Sequence, residues 1–313
     1  MGYACRLNLK SFQLEESEFM LSKSARLWLG IIAAVSLLSV ASSCSKGPEG
    51  PSGPEGPPSG KAYTSKGDEG SITGKISYNG TAPVAKKIDT SADAACTSKS
   101  PNLMAEDWVV KDGKLANTFV YIKDGAIDGA KKITEYTWPT PSSAVTLDQN
   151  GCHYRPHVLG VVVKQDINIT NSDPTTHNIH FTPKNNPDWN QSQPNGAPAL
   201  IHKLNVAEVL VPVKCNQHPW MRAYVGVLKH PFFAVSAEDG SFTIKNVPPG
   251  KYTVVAWHEN PPGNGIEKPM EVTVPAKGAA TADFTFGGTA ELLGQPSSLR
   301  MLPAIEFPMI GKH

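Results

Sequence analysis

Residues 241–257 read S-F-T-I-K-N-V-P-P-G-K-Y-T-V-V-A-W. Ser241–Ile244 and Lys251–Trp257 are rich in aromatic and β-branched residues, which favour strands, and Val247-Pro248-Pro249-Gly250 predicts a turn between them. Short strands separated by turns of this kind recur along the chain in both directions. Since no helical periodicity after residue 43 persists beyond about two turns, the sequence predicts an all-β protein made of two β-sandwich domains.

The other strands are predicted from the same signals. They are Ser71–Tyr78, Thr118–Ile122, Ala144–Leu147, Val158–Val163, Asp166–Ile169, Asn178–Phe181, Glu208–Val213, Tyr224–Leu228, Phe232–Val235, Met270–Val274 and Ala282–Phe286. The polar stretch from Pro183 to Pro198 predicts a long surface loop. The chain has 27 Gly and 27 Pro among 313 residues, which fits this density of turns. Its formal net charge of +1 argues against a nucleic-acid partner.

The N-terminus has the pattern of a targeting segment. Leu27–Val40 is a mainly apolar run preceded by Lys23 and Arg26. A membrane-spanning helix needs about 20 apolar residues, so this shorter run is typical of the hydrophobic region of a signal peptide. We therefore assign residues 1–43 to a signal peptide, with Met20 as an alternative start.

Small residues lead directly into Cys44. The run Ala41-Ser42-Ser43-Cys44 resembles the lipobox of bacterial lipoproteins, in which the cysteine becomes the lipidated first residue. The resemblance implies a lipid anchor on Cys44 in the bacterial cell envelope, facing the periplasm, with the outer membrane as one location. Cleavage as an ordinary signal peptide is the alternative. Residues 44–69, rich in Gly and Pro, predict an extended linker, and residues 288–313 a patternless tail.

Three cysteines follow Cys44 along the chain: Cys96, Cys152 and Cys215. In an exported, oxidising compartment an odd number leaves one thiol with another role. We expect Cys96 and Cys152 to form a disulfide and Cys215 to be the remaining thiol. The chain has no C-x-x-C motif, so neither dithiol exchange nor covalent haem attachment is supported.

Two clusters of metal-ligating side chains stand out. One is His177-Asn178-Ile179-His180, and the other is Cys215-Asn216-Gln217-His218-Pro219-Trp220-Met221. Together they offer imidazole, thiolate and thioether donors. Two histidines, one cysteine and a weak axial methionine form the ligand set of blue-copper electron-transfer centres. The second cluster lies between two predicted strands, which would clamp a metal ion against the first.

The same residues carry a family resemblance. Thr176-His177-Asn178-Ile179-His180-Phe181 and Cys215-x2-His218-x2-Met221-Arg222 resemble the cupredoxins, Greek-key β-sandwiches, and the short ligand loop is most similar to that of amicyanin. The resemblance implies one type 1 copper with the ligands His177, Cys215, His218 and Met221. It implies an outer hydrogen-bonding role for Asn178 between the two loops, and no ligand role for His180.

The resemblance also implies a function. Cupredoxins carry single electrons between redox partners and are not themselves enzymes, so no catalytic residue is assigned. In this family the second histidine of a short ligand loop lies near the surface under an apolar rim. Pro219 and Trp220 would form part of this rim and contact a redox partner protein, which the sequence does not identify.

A second resemblance lies near the C-terminus. Asp239-Gly240-x-Phe242, Val247-Pro248-Pro249-Gly250-x-Tyr252 and Trp257 are similar to the carboxypeptidase regulatory-like, transthyretin-like sandwich. We therefore divide the chain into a cupredoxin-like domain at 70–230 and this module at 231–287. Residues 70–83 also resemble the module's first strand, which would make the copper domain an insertion.

Several alternatives remain open at this stage. Zinc on Cys215 and the two histidines gives Met221 no role, and a buried structural thiol gives none to His177. Cys152, His153 and His157 offer a second metal site if Cys152 is not in a disulfide. Alternative functions are a carbohydrate- or protein-binding β-sandwich lipoprotein with a structural copper site, or a copper storage or delivery protein.

Overall fold

The computed structural model describes residues 60–260 and 265–287. The signal peptide, the lipidation candidate Cys44, most of the linker and the tail at 288–313 lie outside the described residues. Within them the protein is almost entirely β-sheet, which confirms the predicted all-β sandwich class. No helix in these two ranges has the length and hydrophobicity that a membrane span requires.

The strands and the two short helices have the following bounds. The strands are β1 (Lys61–Ala62), β2 (Gly70–Tyr78), β3 (Val110–Lys111), β4 (Lys114–Leu115), β5 (Phe119–Ile127), β6 (Lys131–Lys132), β7 (Tyr136–Thr137), β8 (Val145–Gln149), β9 (Tyr154–Arg155), β10 (Val158–Val162), β11 (Ile167–Asn171), β12 (His177–Phe181), β13 (Trp189–Gln193), β14 (Leu200–His202), β15 (Glu208–Lys214), β16 (Arg222–Leu228), β17 (Phe233–Val235), β18 (Ser241–Val247), β19 (Gly250–His258), β20 (Ile266–Val274), β21 (Ala279–Thr281) and β22 (Phe284–Phe286). An α-helix, α1, spans Ala94–Lys99, and a 3₁₀ turn spans Ile133–Glu135.

Strands β8 to β16 form one sandwich, called sandwich A here. One sheet has the order β10-β16-β15-β12-β13 and the other β14-β11-β8-β9. Alternate residues of each strand point inwards, as the two-residue period of a strand requires, and the two inner faces share one core. Leu147, Ile169, Ile179 and Val225 are fully buried members of this core.

The strands on both sides of sandwich A form a second one, sandwich B. Strands β17-β5-β19-β20 make one sheet, and β18-β2-β4-β3, with β21 and β22 also on β2, make the other. The quoted stretch 241–257 supplies β18 and β19, one in each sheet. In β18, Phe242 and Ile244 are buried while Thr243 and Lys245 face outwards, so the alternation of the sequence matches the burial.

The sheets divide the chain differently from the predicted domain boundaries. The predicted cupredoxin-like domain begins at residue 70, with residues 70–83 as an alternative part of the C-terminal module. In the structure β2 pairs with β18, in agreement with that alternative, and β5 pairs with β19, so residues up to 132 also belong with the C-terminal strands. Sandwich A is therefore the continuous segment 145–228, inserted between two parts of sandwich B. The predicted boundary at residue 230 differs from the structure because it depends on local sequence patterns, whereas the strands of sandwich B pair across more than 100 residues of chain.

The two sandwiches pack against each other through a third apolar cluster. Phe119 and Val255 of sandwich B and Val158 and Leu228 of sandwich A are buried in it. The sheet of sandwich A that contains β16 and the sheet of sandwich B that contains β5 lie very close together, since a Cβ added at Gly226 would lie 2.4 Å from the Phe119 ring. This explains why β19 is buried on both of its faces.

The expected surface loop at 183–198 is wrong in part. Trp189–Gln193 forms β13, which pairs antiparallel with β12 along its full length. Its residues are mostly polar because β13 is the edge strand of its sheet and three of its five side chains are exposed.

Candidate metal centre

The predicted ligands come together where β12 begins and β15 ends. His177 is the first residue of β12, and Cys215 directly follows β15. The two strands are antiparallel neighbours with His180 opposite Lys214, so the loop after β15 lies beside the start of β12. His218 and Met221 belong to that loop, which returns into β16 with Lys214 opposite Arg222.

Three of the four predicted ligands converge on one point. Their donor atoms, in His177, Cys215 and His218, lie within 4.8 Å of one another. The Nδ1 atoms of the two histidines are 2.8 Å apart, and Cys215 Sγ is 3.7 Å from His218 Nδ1. The three residues are 0–4% exposed. The arrangement can therefore hold one metal ion away from solvent.

Met221 lies in the same buried region. It is fully buried and belongs, with Cys215, to the core of sandwich A. The loop that carries it is closed by two backbone hydrogen bonds, from Cys215 N–H to the Met221 carbonyl and from Met221 N–H to the His218 carbonyl. The backbone thus fixes the spacing of the three loop residues before any metal binds.

Asn178 connects the two segments through hydrogen bonds. Its side-chain oxygen accepts from Asn216 N–H at 2.6 Å, and its own backbone N–H donates to Cys215 Sγ at 3.5 Å. Its amide nitrogen donates to Asn190 Oδ1 on β13. A single buried side chain therefore joins β12, β13 and the ligand loop.

A carboxylate holds the outer nitrogen of each histidine. His177 Nε2 donates to Asp173 Oδ2 at 2.9 Å, and His218 Nε2 to Asp93 Oδ2 at 3.1 Å. Metal-binding histidines usually donate their second N–H in this way, which fixes the tautomer and the ring orientation. Both rings therefore present Nδ1 to the Cys215 sulfur.

Asp173 is the more deeply placed of the two carboxylates. It is fully buried and also accepts the backbone N–H groups of Gly151 and Cys152, and it forms an ion pair with Lys99. Burial alone would raise the pKa of this carboxyl, but these partners together hold its pKa well below the usual range. Asp173 is thus a fixed negative charge behind His177.

The electrostatics of the centre favour a thiolate. Burial would raise the pKa of Cys215, but hydrogen bonds with His177 and His218 outweigh it and lower the pKa to about 5. Burial would likewise lower the pKa of His177, yet Asp173 and Cys215 raise it to about 9. A negative sulfur beside a readily protonated imidazole is a site in which a metal cation can replace the proton.

Asp93 is a functional residue that the sequence analysis missed. It caps the N-terminus of α1, where its Oδ1 accepts the N–H groups of Ala95 and Cys96. Its Oδ2 accepts from Thr175 as well as from His218. The available signal was an aspartate directly before a short helix-favouring run, a pattern typical of an N-cap, but nothing local pointed to His218.

The predicted exposure of the ligand loop differs from the structure. His218 is 4% exposed, because Asp93 and α1 cover its Nε2 edge. Trp220 is half-buried, and its indole N–H donates to the Cys152 carbonyl, so it packs inwards and does not form an open rim. Pro219 is exposed.

The remaining predicted residues lie close by. Cys96 and Cys152 are joined by a disulfide, which ties α1 to the loop before β9, and Cys215 is a free, buried cysteine. His180 points away from the centre, towards Asp188 and Asn216.

The comparisons with known proteins cover parts of the chain. Residues 218–282 match the family described as polysaccharide lyase family 4, domain II. This match overlaps the region assigned to a carboxypeptidase regulatory-like module, under a different description, and spans well under half of the chain. No curated protein matches the sequence.

Several solved structures are similar to part of the chain. A purple cupredoxin from Nitrosopumilus maritimus is 21% identical over 26% of this chain and 98% of its own, with a TM-score of 0.23. Amicyanin from Paracoccus versutus is 16% identical over 34% and 96%, with a TM-score of 0.25. A copper-containing nitrite reductase from Thermus scotoductus is 18% identical over 30% and 23%, with a TM-score of 0.23. These identities and TM-scores are low, so the similarity does not assign a metal or an activity to this chain.

Proposed function

We propose that the protein is an envelope-anchored type 1 copper protein that carries single electrons between redox partners. The observation that carries this proposal is the convergence of His177, Cys215 and His218, with Met221 buried in the same loop. Two imidazoles, a thiolate and a thioether match the donor set that blue-copper centres use. When bound, copper supplies a one-electron redox couple.

The residues of the centre suit rapid electron transfer because they are already held in place. The imidazoles are fixed by Asp173 and Asp93, the thiolate by the Asn178 N–H, and the loop by its own backbone hydrogen bonds. Such a site needs little rearrangement when the charge of its ion changes by one. The three groups also exclude water, since none of the converging ligands is more than 4% exposed.

The burial of the ligands also favours electron transfer over copper delivery as the function. A delivery protein must release its ion to an acceptor, so at least one ligand should be accessible for exchange. Here His218, in the loop expected to be most open, is covered by Asp93 and α1. Zinc is chemically compatible with the two histidines and the cysteine, but it gives the thioether of Met221 no role.

Location and partner complete the proposal. A lipid on Cys44 would hold the protein at the bacterial envelope, facing the periplasm, and a redox partner protein would approach near the exposed Pro219. The Cys44→Ala variant should move from the membrane fraction to the soluble fraction. An unmodified Cys44 in mass spectrometry of the wild type would contradict the anchor.

The test of the metal assignment is the visible spectrum after loading with Cu²⁺. The wild type should show the intense visible thiolate-to-copper charge-transfer band of blue-copper sites. Cys215→Ser should lose the band, whereas the matched control His180→Gln, a histidine of the same strand that points away, should keep it. A wild type without a band, or a Cys215→Ser variant that retains it, would overturn the assignment.

A further inference from the structure

The disulfide between Cys96 and Cys152 lies directly behind the metal centre. Both half-cystines are fully buried. The sulfur of Cys96 lies within 4.8 Å of a ring nitrogen of His218, and the sulfur of Cys152 lies within 4.8 Å of a ring nitrogen of His177. One covalent bond therefore spans the outer sides of both ligand histidines.

Each half of the disulfide also holds the carboxylate behind its own histidine. Cys96 N–H donates to Asp93 Oδ1 at 3.0 Å, and the other oxygen of Asp93 accepts from one ligand histidine. Cys152 N–H donates to Asp173 Oδ2 at 2.7 Å, and the same oxygen accepts from the other ligand histidine. The disulfide thus connects the two backbone segments that position the imidazoles.

Residues 83–106, called the α1 segment here, cover the Nε2 edge of His218 without being part of a sheet. The structure describes the whole segment, and it contains no strand of either sandwich. Its bridge between Lys87 and Met104 is internal. Because α1 has only six residues, and helices this short are not stable alone, the segment depends on contacts with sandwich A for its position.

The disulfide is the main tie between the α1 segment and sandwich A. Cys96, Cys152 and Leu103 are the buried members of the apolar cluster at this contact, and Ile88 and Trp220 are only partly buried beside them. The other ties are polar contacts, of Lys99 with Asp173, Ser100 with the Gly151 carbonyl, Asp93 with Thr175 and Glu106 with Arg155. Hydrogen bonds and partly exposed ion pairs each contribute little net stability, whereas a cross-link strongly restricts the opened chain.

We infer that formation of the Cys96–Cys152 disulfide closes the metal centre. While both residues are thiols, the α1 segment opens away from His218 and a metal ion exchanges readily; once the bond forms, the ion is held. The inference rests on the metal centre and the envelope location of the proposed function, but not on the identity of the metal.

The closing step is a thiol–disulfide exchange with an oxidised dithiol protein of the envelope. The thiolate of one cysteine attacks the disulfide of that protein and forms a mixed disulfide, which the second cysteine then displaces. The two electrons and two protons of the cysteines leave with the oxidant as its two thiols. The metal ion therefore enters the newly exported, reduced chain before the centre closes.

The first test needs no metal. Cys215 is a free thiol buried in the centre, so its alkylation by iodoacetamide in the metal-free protein, followed by mass spectrometry of its peptide, measures how often the centre opens. In Cys96→Ser/Cys152→Ser this rate should be at least about tenfold higher than in the disulfide-bonded wild type.

Ile122→Ala is the matched control, because it weakens the core of sandwich B and leaves the disulfide intact. Its Cys215 should react at close to the wild-type rate. Equal rates in the wild type and the double variant would overturn the inference. An equal acceleration in Ile122→Ala would also overturn it, since Cys215 would then be exposed by unfolding of the whole protein.

A second measurement keeps the native side chains and remains informative if the double variant does not fold. The wild type is refolded anaerobically with its thiols reduced, and Co²⁺ is added before or after the disulfide is formed with oxidised glutathione. Uptake should be at least about tenfold faster when Co²⁺ is added first, and the ion should leave to a chelator more slowly after oxidation.

The outcomes separate this inference from the proposed function. Equal Co²⁺ rates in a protein that still shows the blue-copper band would overturn this inference alone. Faster Co²⁺ uptake by the reduced protein, together with a missing blue-copper band, would support closure by the disulfide and contradict the electron-transfer proposal alone.

Discussion

The two sandwiches differ in what they bury. Between its sheets, sandwich B packs aliphatic and aromatic side chains such as Ile76, Ile122 and Tyr252. Sandwich A has an apolar core too, but at one end it buries Asp173, His177 and His218, which bond to one another, and His218 also bonds to the half-buried Asp93 at the start of α1. Buried polar groups are costly unless they are satisfied, so these connected groups indicate a functional site at this end of sandwich A.

The largest expected effect on stability lies in sandwich B. Ile122 is fully buried in its core, so Ile122→Ala should lower the free energy of unfolding by about 2–5 kcal/mol through lost burial and the cavity left behind. Val84→Ala, at a residue 90% exposed, should change it by less than about 0.5 kcal/mol. Chemical denaturation measures both. If the Ile122→Ala variant folded and bound copper but lost its visible band, the copper centre would depend on the core of sandwich B. The contrast drawn between the two sandwiches would then be wrong.

The next largest effect is expected on copper affinity in sandwich A. His177→Ala removes a ligand and leaves Asp173 buried with Lys99 as its remaining charged partner. The affinity for copper should fall by more than about 100-fold, beyond the usual loss for an outer partner. Competition with a chelator measures it, with His180→Gln as the control. Unchanged affinity in His177→Ala would show that the centre does not use this residue.

A smaller effect is expected from the carboxylate on α1. Asp93→Asn keeps a good N-cap but removes the negative charge that accepts from His218 Nε2. Copper affinity should fall by about 10–100-fold, while the thermal midpoint stays close to that of the wild type. A large loss of thermal stability with unchanged affinity would mean that Asp93 only caps the helix.

The smallest effect is expected at the surface. Pro219 is exposed beside His218, so Pro219→Glu should slow electron exchange with a partner several-fold and leave the spectrum unchanged. Trp220 is unsuitable for this test because its indole N–H donates to Cys152 and its ring is half-buried. Stopped-flow kinetics with a small redox protein measures the rate. An unaltered rate would place the docking surface elsewhere.

The sequence predicts the ligands more readily than their surroundings. Cys215, His218 and Met221 are separated by a few residues, so their loop is visible as a local pattern, and His177 directly precedes the predicted strand Asn178–Phe181. Asp93 was missed because it reaches His218 only through the fold, across 125 residues of chain. The strand β13 was missed because a polar edge strand has little hydrophobic alternation to reveal it.

Cyclic voltammetry of the copper-loaded wild type tests the central claim most directly. A site with buried ligands, held by Asp173, Asp93 and Asn178, should give a reversible one-electron couple that persists over repeated scans and is absent from Cys215→Ser. A copper-loaded protein with no reversible couple would contradict the assignment of this centre to electron transfer.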